Sequence, residues 1–345
     1  MNVLNQRVED LYTLYQGDCV EVVRGLPSDS VHYTIFSPPF ASLYTYSNSD
    51  RDMGNSRDDA EFAEHFGYLI QELYRVTMPG RLVSVHCMNL PAMKSRDGYI
   101  GIKDFRGDII RQFIENGFIF HSEVVIWKNP VTEMQRTKAL GLLHKQIRKD
   151  SSMCRQGIPD YLVTFRKPGE NPEMISHTPE SFPVNVWQRY ASPVWMDIRQ
   201  SNTLQRTSAR DEKDEKHICP LQLDVIERGI DLWTNPGDIV LDPFAGIGSV
   251  PYQAVLMGRR GLGCELKESY FKQAVKNLEE AERLAGLAPI DTTVLLRCPI
   301  CGHKIPNGGD RCPACDADAV AHDESKIVYA QEPEAVAGQM RLFGI

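Results

Sequence analysis

The sequence predicts an α/β fold on a mostly parallel sheet, and three observations carry that reading. Short β-branched runs alternate with stretches whose apolar residues recur at helical spacing. Two of the runs end in chemically distinctive turns, Ser37-Pro38-Pro39-Phe40 and, about two hundred residues later, Asp242-Pro243-Phe244-Ala245-Gly246-Ile247-Gly248. Two Cys-x-x-Cys pairs near the C-terminus set a small addition apart from the main fold.

The elements follow in order. Residues 12–15 read as a strand ending at Gly17-Asp18, and residues 20–26 as a short helix. Val31–Phe36 is a second strand, closed by two prolines that cannot donate to a ladder. Phe62, Phe66, Leu69, Ile70 and Leu73 put one apolar stripe on a helix over Asp59–Val76. Pro79-Gly80 ends that helix, and residues 82–87 form the next buried strand. A helix over 105–116 stops at Gly117, and residues 123–127 and 161–166 read as paired strands at a sheet edge. Residues 167–216 break the rhythm with five of the 21 prolines and a mixed-charge run, which predicts an irregular insertion. Alternation then resumes with a helix over 221–233, a strand over 238–241, a helix after Gly248, a strand over 261–265 and a helix over 267–284.

Composition narrows the class. The chain has 345 residues, 42% hydrophobic and 24% charged, which is ordinary for a soluble domain with one or two small additions. It has no apolar run of bilayer length, and its first ten residues lack a signal-peptide pattern, so the expected location is cytoplasmic, with no membrane partner. A net charge of −8 counts against a nucleic-acid partner on average, but residues 128–158 hold seven Lys/Arg against two acids. Within that patch Lys128, Arg136, Lys138, Lys145, Arg148 and Lys149 are the expected phosphate contacts.

The later turn suits a cofactor. Glycine lets backbone approach a ligand closely, and a strand ending in an acid before Gly-x-Gly serves nucleotide-like cofactors in general. The departure from G-x-G-x-x-G, and a second strand ending in Glu265, favour S-adenosylmethionine over a dinucleotide. Candidate contacts are Asp242, Pro243, Phe244, Ala245, Gly246 and Gly248, with Glu265 accepting the ribose hydroxyls.

The earlier turn suits an amino group. The exocyclic nitrogen of cytosine or adenine is a poor nucleophile because its lone pair is delocalised into the ring. Two acceptors aimed at its N–H bonds favour a pyramidal nitrogen with the lone pair free for a methyl group. Ser37 Oγ and the Pro38 carbonyl are candidates, Pro39 stiffens the turn, and Phe40 offers a face for an extruded base.

Together, residues 11–285 resemble the β-class DNA amino-methyltransferases, in which a catalytic region precedes a target-recognition region and then a cofactor region. The resemblance implies the Rossmann-like S-adenosylmethionine-dependent methyltransferase fold in circularly permuted motif order. It places Asp18 near the cofactor adenine and takes His217-Ile218-Cys219-Pro220 as the lead-in to the cofactor half. The organisation it implies is a catalytic half over 1–167, with residues 128–158 facing DNA. A target-recognition insertion over 168–216 and a cofactor half over 217–288 follow. Ser-Pro-Pro-Phe leans toward cytosine N4, with adenine N6 the alternative. Methylation of RNA or protein amides, and a catalytically silent DNA-binding protein, are the more distant readings. Double-stranded DNA is the implied partner, and a second copy of the chain and a cognate restriction enzyme are compatible with it.

Cys298, Cys301, Cys312 and Cys315 have the spacing of a structural zinc ribbon over 295–318, with iron as a competitor metal, and residues 319–345 read as an acidic tail. Cys19, Cys87 and Cys264 read as core thiols without chemistry.

Overall fold

Five parallel strands form the centre of the main sheet, and their carboxyl ends carry the turns singled out in the sequence. The structure, a computed structural model, describes residues 3–39, 53–92, 94–137, 140–204 and 220–287. In chain order the first half contains β1 (Asn5–Val8), β2 (Tyr12–Gln16), α1 (Cys19–Arg24), β3 (Val31–Phe36), α2 (Asp59–Val76), β4 (Thr77–Met88), β5 (Leu90–Ala92), α3 (Lys94–Asp97), β6 (Gly101–Lys103), α4 (Phe105–Glu115) and β7 (Ile119–Ile126). The second half contains α5 (Pro130–Thr137), α6 (His144–Ile147), β8 (Asp160–Arg166), α7 (Val184–Tyr190), β9 (Val194–Trp195), α8 (Leu223–Trp233), β10 (Ile239–Asp242), α9 (Ser249–Leu256), β11 (Arg260–Glu265) and α10 (Glu268–Leu287).

Among the described residues the main sheet has nine strands, in the order β1-β2-β11-β10-β3-β4-β8-β7-β9. From β2 to β4 all neighbours are parallel, while β8 is antiparallel to both β4 and β7. Apolar residues cover both faces, as a parallel sheet requires. One face packs Phe62, Phe66, Leu69 and Leu73 of α2 with Phe113 of α4 against Val83, Val85 and Cys87. The Phe113 and Phe165 rings stack there with centroids 4.0 Å apart. The other face packs Val225, Ile226 and Ile230 of α8 against Tyr33, Ile35 and Val240. Local signals fix the helix ends. Asp58 caps α2 by accepting from the Ala60 and Glu61 N–H groups, a contact type worth about 1 kcal/mol.

The expected alternation of strands and helices is present, with four differences. Strand β4 begins at Thr77, so Pro79-Gly80 lies inside the strand, where the pairing with β3 shifts register. β1 adds an antiparallel edge that its polar, exposed sequence does not announce. A small hairpin, β5–β6, follows β4. The segment expected to be irregular contains α7 and β9, and β9 rather than β7 is the edge strand. Aromatic anchoring explains the last point. Trp195 is buried, its Nε1 donates to the Tyr190 carbonyl at 3.2 Å, and the Arg228 guanidinium lies 4.8 Å from its ring centroid. Among the described residues no helix is long and apolar enough to cross a membrane.

Candidate active site

Strands β3 and β10 are neighbours, with Val240 beside Tyr33 and Leu241 beside Thr34. That parallel register brings the Ser37 turn and the Asp242–Gly248 turn to the same end of the sheet, where open α/β sheets bind ligands. Phe36, just before Ser37, and Phe244, inside the later turn, lie with ring centroids 5.7 Å apart. The two motifs form one site.

In the later turn Gly246 and Gly248 have φ of +55° and +87°, the left-handed region that glycine adopts without a Cβ penalty. A Cβ on Gly248 would sit 3.2 Å from that of Ala274, whereas one on Gly246 would project into open space. The Gly246 N–H donates to Glu265 Oε2 at 2.8 Å, and the Lys267 N–H donates to Oε1 at 2.7 Å. Asp242 is buried and accepts from the Phe244 N–H at 2.9 Å. Burial, reinforced by the nearby Glu265 charge and opposed by that N–H, pushes its carboxyl up to about 8. The Gly17 N–H donates to the Glu265 carbonyl at 3.0 Å, and Asp18 caps α1 by accepting from the Glu21 N–H at 3.0 Å. Asp18, Glu265 and Asp242 therefore end or follow three consecutive strands, β2, β11 and β10. Pro243 and Ala245 are buried. The space above Gly246 and the acidic rim fit S-adenosylmethionine, which carries a cationic amino-acid end and a ribose diol.

In the earlier turn Pro38 and Pro39 are buried and Ser37 is half-buried, while Phe40 lies outside the described residues. Ser37 Oγ is 3.3 Å from His86 Nδ1 and 3.2 Å from the His86 carbonyl. The strand register predicts this meeting. Phe36 pairs with Val85, so the next residues, Ser37 and His86, face each other. His86 Nε2 is buried without a well-aligned hydrogen bond, 3.3 Å from Asp160 Oδ2. Asp160 Oδ1 in turn lies 2.5 Å from Lys128 Nζ. Burial raises the Asp160 carboxyl, but Lys128 and His86 outweigh it and hold the group below the ordinary range. Sequence reading missed His86 and Asp160, although a histidine inside an otherwise apolar strand beside a Pro-Pro turn was a visible signal.

Lys128 is a correction. Expected to contact phosphates, it turns inward to Asp160 because that carboxylate is buried and needs a counter-charge. Lys145, Arg148 and Lys149 are exposed, and Arg136 lies on α5. Buried Glu133 ties their segment together, accepting from the Ile158 N–H at 2.6 Å and pairing with Arg155 at 3.3 Å. Lys138, the segment around His217, and Cys298, Cys301, Cys312 and Cys315 lie outside the described residues. Cys19, Cys87 and Cys264 are buried and free, with burial pushing each thiol up, as inert core thiols require.

One further acidic cluster, His32, Glu173 and Asp238, sits at the opposite, amino ends of the strands. Its counter-charge is Arg81, 3.1 Å from Asp238 and 3.7 Å from Glu173. His32 Nδ1 accepts the Ile239 N–H at 3.1 Å, which leaves its Nε2 to face the carboxylates.

The DNA methylase pattern of the N6/N4 methyltransferases matches residues 31–276. The chain is 25% identical over 290 residues to Type II methyltransferase M.BamHI of Bacillus amyloliquefaciens, covering 80% of this chain and 60% of that one. It is 23% identical over 302 residues to DNA adenine methyltransferase YhdJ of Escherichia coli, covering 79% of this chain and 85% of the relative. Among solved structures, the cytosine-N4-specific PvuII DNA methyltransferase aligns with a TM-score of 0.58 at 16% identity, over 83% of this chain and 95% of its own. A DNA modification methylase of Thermus thermophilus, solved with S-adenosyl-L-methionine and described as putative, aligns at 0.56 and 24% identity, over 78% and 95%. The structural likenesses speak for the fold. The family match spans most of the length and both turns, and by it the chain belongs to the N6/N4 family of DNA methylases, the DNA amino-methyltransferases.

Proposed function

We propose that this protein transfers a methyl group from S-adenosylmethionine to the exocyclic amino group of a flipped DNA base, with cytosine N4 the preferred target. The observation that carries this reading is the adjacency of the Ser37 turn and the Gly246–Gly248 turn at the carboxyl ends of β3 and β10. Bound S-adenosylmethionine supplies an electrophilic methyl group on a sulfonium. The chain's own residues bind and orient. Asp242 and the glycine backbone hold the amino-acid end, Glu265 the ribose, and Asp18 the adenine side. Ser37 Oγ and the Pro38 carbonyl accept the two amino N–H bonds and direct the nitrogen lone pair outward. Buried Pro38 and Pro39 present no N–H, so no backbone donor competes for that lone pair. Orientation and electrostatics supply the rate, and no covalent attack on the base is needed.

Ser37 at the head of the turn supports cytosine, and adenine N6 is the second reading because a relative is an adenine enzyme. Exposed Lys145, Arg148 and Lys149 support a cationic path for the DNA backbone, and the sequence adds Arg136 and Lys138 as candidates. Relatives named as Type II methyltransferases support a restriction-modification setting. The spacing of Cys298, Cys301, Cys312 and Cys315 supports a structural zinc site.

Incubation with labelled S-adenosylmethionine and unmodified DNA, followed by mass spectrometry of the nucleosides, tests the reading. N4-methylcytosine is expected. N6-methyladenine would replace the base, and label only on RNA or protein would overturn the reading.

A further inference from the structure

Beneath the Ser37 turn, four side chains line up across the sheet from one strand to the next. They are Ser37 at the end of β3, His86 on β4, Asp160 at the start of β8, and Lys128 just past the end of β7. The separations are 3.3 Å from Ser37 Oγ to His86 Nδ1, 3.3 Å from His86 Nε2 to Asp160 Oδ2 and 2.5 Å from Asp160 Oδ1 to Lys128 Nζ. The last three side chains are at least 85% buried, so the row is shielded from bulk water. A buried histidine, carboxylate and ammonium together need a reason, since packing the same volume with apolar groups is often as stable.

We infer that His86 is the positioning residue of the methyl transfer, fixing the Ser37 hydroxyl and taking up, through it, the proton that the methylated amino group must lose. Asp160 lies on the Nε2 side of the ring, which favours the tautomer with Nε2 protonated and Nδ1 bare. A bare Nδ1, at 3.3 Å, then shares the Ser37 hydroxyl proton with the His86 carbonyl, at 3.2 Å, and either bond leaves the Ser37 oxygen lone pairs to face the substrate. Lys128 has a definite part in this arrangement. It neutralises the buried Asp160 carboxylate, which would otherwise stand uncompensated beside the ring.

The step balances. The amino nitrogen forms its bond to the methyl group as the sulfonium S–C bond breaks, and the nitrogen becomes cationic. It then gives one proton to Ser37 Oγ, while the proton already on Ser37 passes to His86 Nδ1. Ser37 is again a hydroxyl, and the positive charge that left sulfur rests on the imidazolium beside Asp160. Once product has left, the proton returns through half-buried Ser37 to water before the next turnover.

This inference rests on the reading of Ser37 as the residue that holds the amino group, and the experiment separates the two. Two-dimensional nitrogen–proton NMR of the histidine rings, without cofactor or DNA, should give His86 as the Nε2–H tautomer. A proton on Nδ1 would overturn the proposal. Single-turnover methylation is then measured for Ser37→Ala, His86→Asn and His86→Ala, with S-adenosylmethionine affinity and melting temperature measured alongside. His86→Asn keeps an acceptor near the Nδ1 position but holds no proton. It should lose at least tenfold in single-turnover rate with cofactor affinity unchanged, and Ser37→Ala/His86→Ala should be no slower than Ser37→Ala alone. A wild-type rate in His86→Asn would reduce His86 to a packing and hydrogen-bonding role and sink the relay. A wild-type rate in Ser37→Ala would instead sink the reading of the site itself. Should His86→Ala fail to fold, Asp160→Asn provides the second variant. It should slow the single turnover at unchanged cofactor affinity, and an unchanged rate would count against the relay.

Discussion

The Phe36 and Phe244 rings touch across β3 and β10, centroids 5.7 Å apart, and through them the Ser37 turn and the Asp242–Gly248 turn share one piece of core. Phe36 is fully buried and also meets Phe66 of α2 at 6.3 Å. Phe36→Ala should cost about 3–5 kcal/mol in chemical denaturation, the usual loss for a core phenylalanine. Phe244→Ala, at a half-buried ring, should cost less while still weakening cofactor binding. Equal stability losses with unaltered cofactor affinity would show that the ring contact is only packing.

Gly248 caps the start of α9 in the left-handed region, and a Cβ added there would lie 3.2 Å from that of Ala274. Gly248→Ala should therefore destabilise the protein by about 1–2 kcal/mol, the cost of that conformation for a residue with a Cβ. S-adenosylmethionine affinity, measured by calorimetry, should fall with it. An alanine variant of native stability would mean the turn relaxes freely.

Asp242 makes stability depend on pH in an unusual direction. Its folded carboxyl is pushed up to about 8, far above the unfolded carboxylate. Between about pH 4 and pH 8 the folded state thus holds a proton that the unfolded state has released. The contribution is complete below pH 4, falls as pH rises through that window and is gone above about 8. Asp242→Asn, melted without cofactor, should gain on the wild type as pH rises from 5 to 8. A constant difference between the two proteins would refute the raised value.

Lys128→Met leaves Asp160 buried without its ammonium, a change worth about 3–5 kcal/mol when one partner of a buried pair is lost. Asp160 behaves oppositely to Asp242. Its lowered carboxyl contributes stability above the unfolded value, which is lost as pH falls through the lower folded value. Acid titration of the unfolding free energy should therefore show a loss in the wild type that Asp160→Asn lacks.

Replacing Lys145, Arg148 and Lys149 together by Ala should weaken DNA binding uniformly across sequences and reduce the salt slope by about 3. Cys312→Ser should release about one zinc per chain, read by metal analysis of the purified protein. An unchanged slope, or retained stoichiometry, would exclude the corresponding site.

The parallel core was legible because buried parallel strands read as continuous apolar runs, and residues 31–36 and the helix at 59–76 emerge with those same bounds. The two turns were legible because proline and glycine leave local traces. What escaped was set by tertiary contact. Nothing in Asn5–Val8 marks a strand until β2 offers an edge, and β9 depends on Trp195 finding Arg228 and Tyr190. Lys128 looked like its cationic neighbours because its difference lies in Asp160, 32 positions later in the chain and buried by three strands.

The placement of β10 next to β3 also sets the order of events as the chain is made. About two hundred residues separate the two turns, so the first leaves the ribosome long before its neighbour exists. Pairing at such separation closes slowly, because a long loop must be ordered before any contact compensates. Until residue 265 has been added, the Ser37 turn lacks the strands that complete its crevice, and a shortened chain could carry a flawless catalytic motif and transfer nothing. Completion of this crevice is a readout of long-range strand pairing.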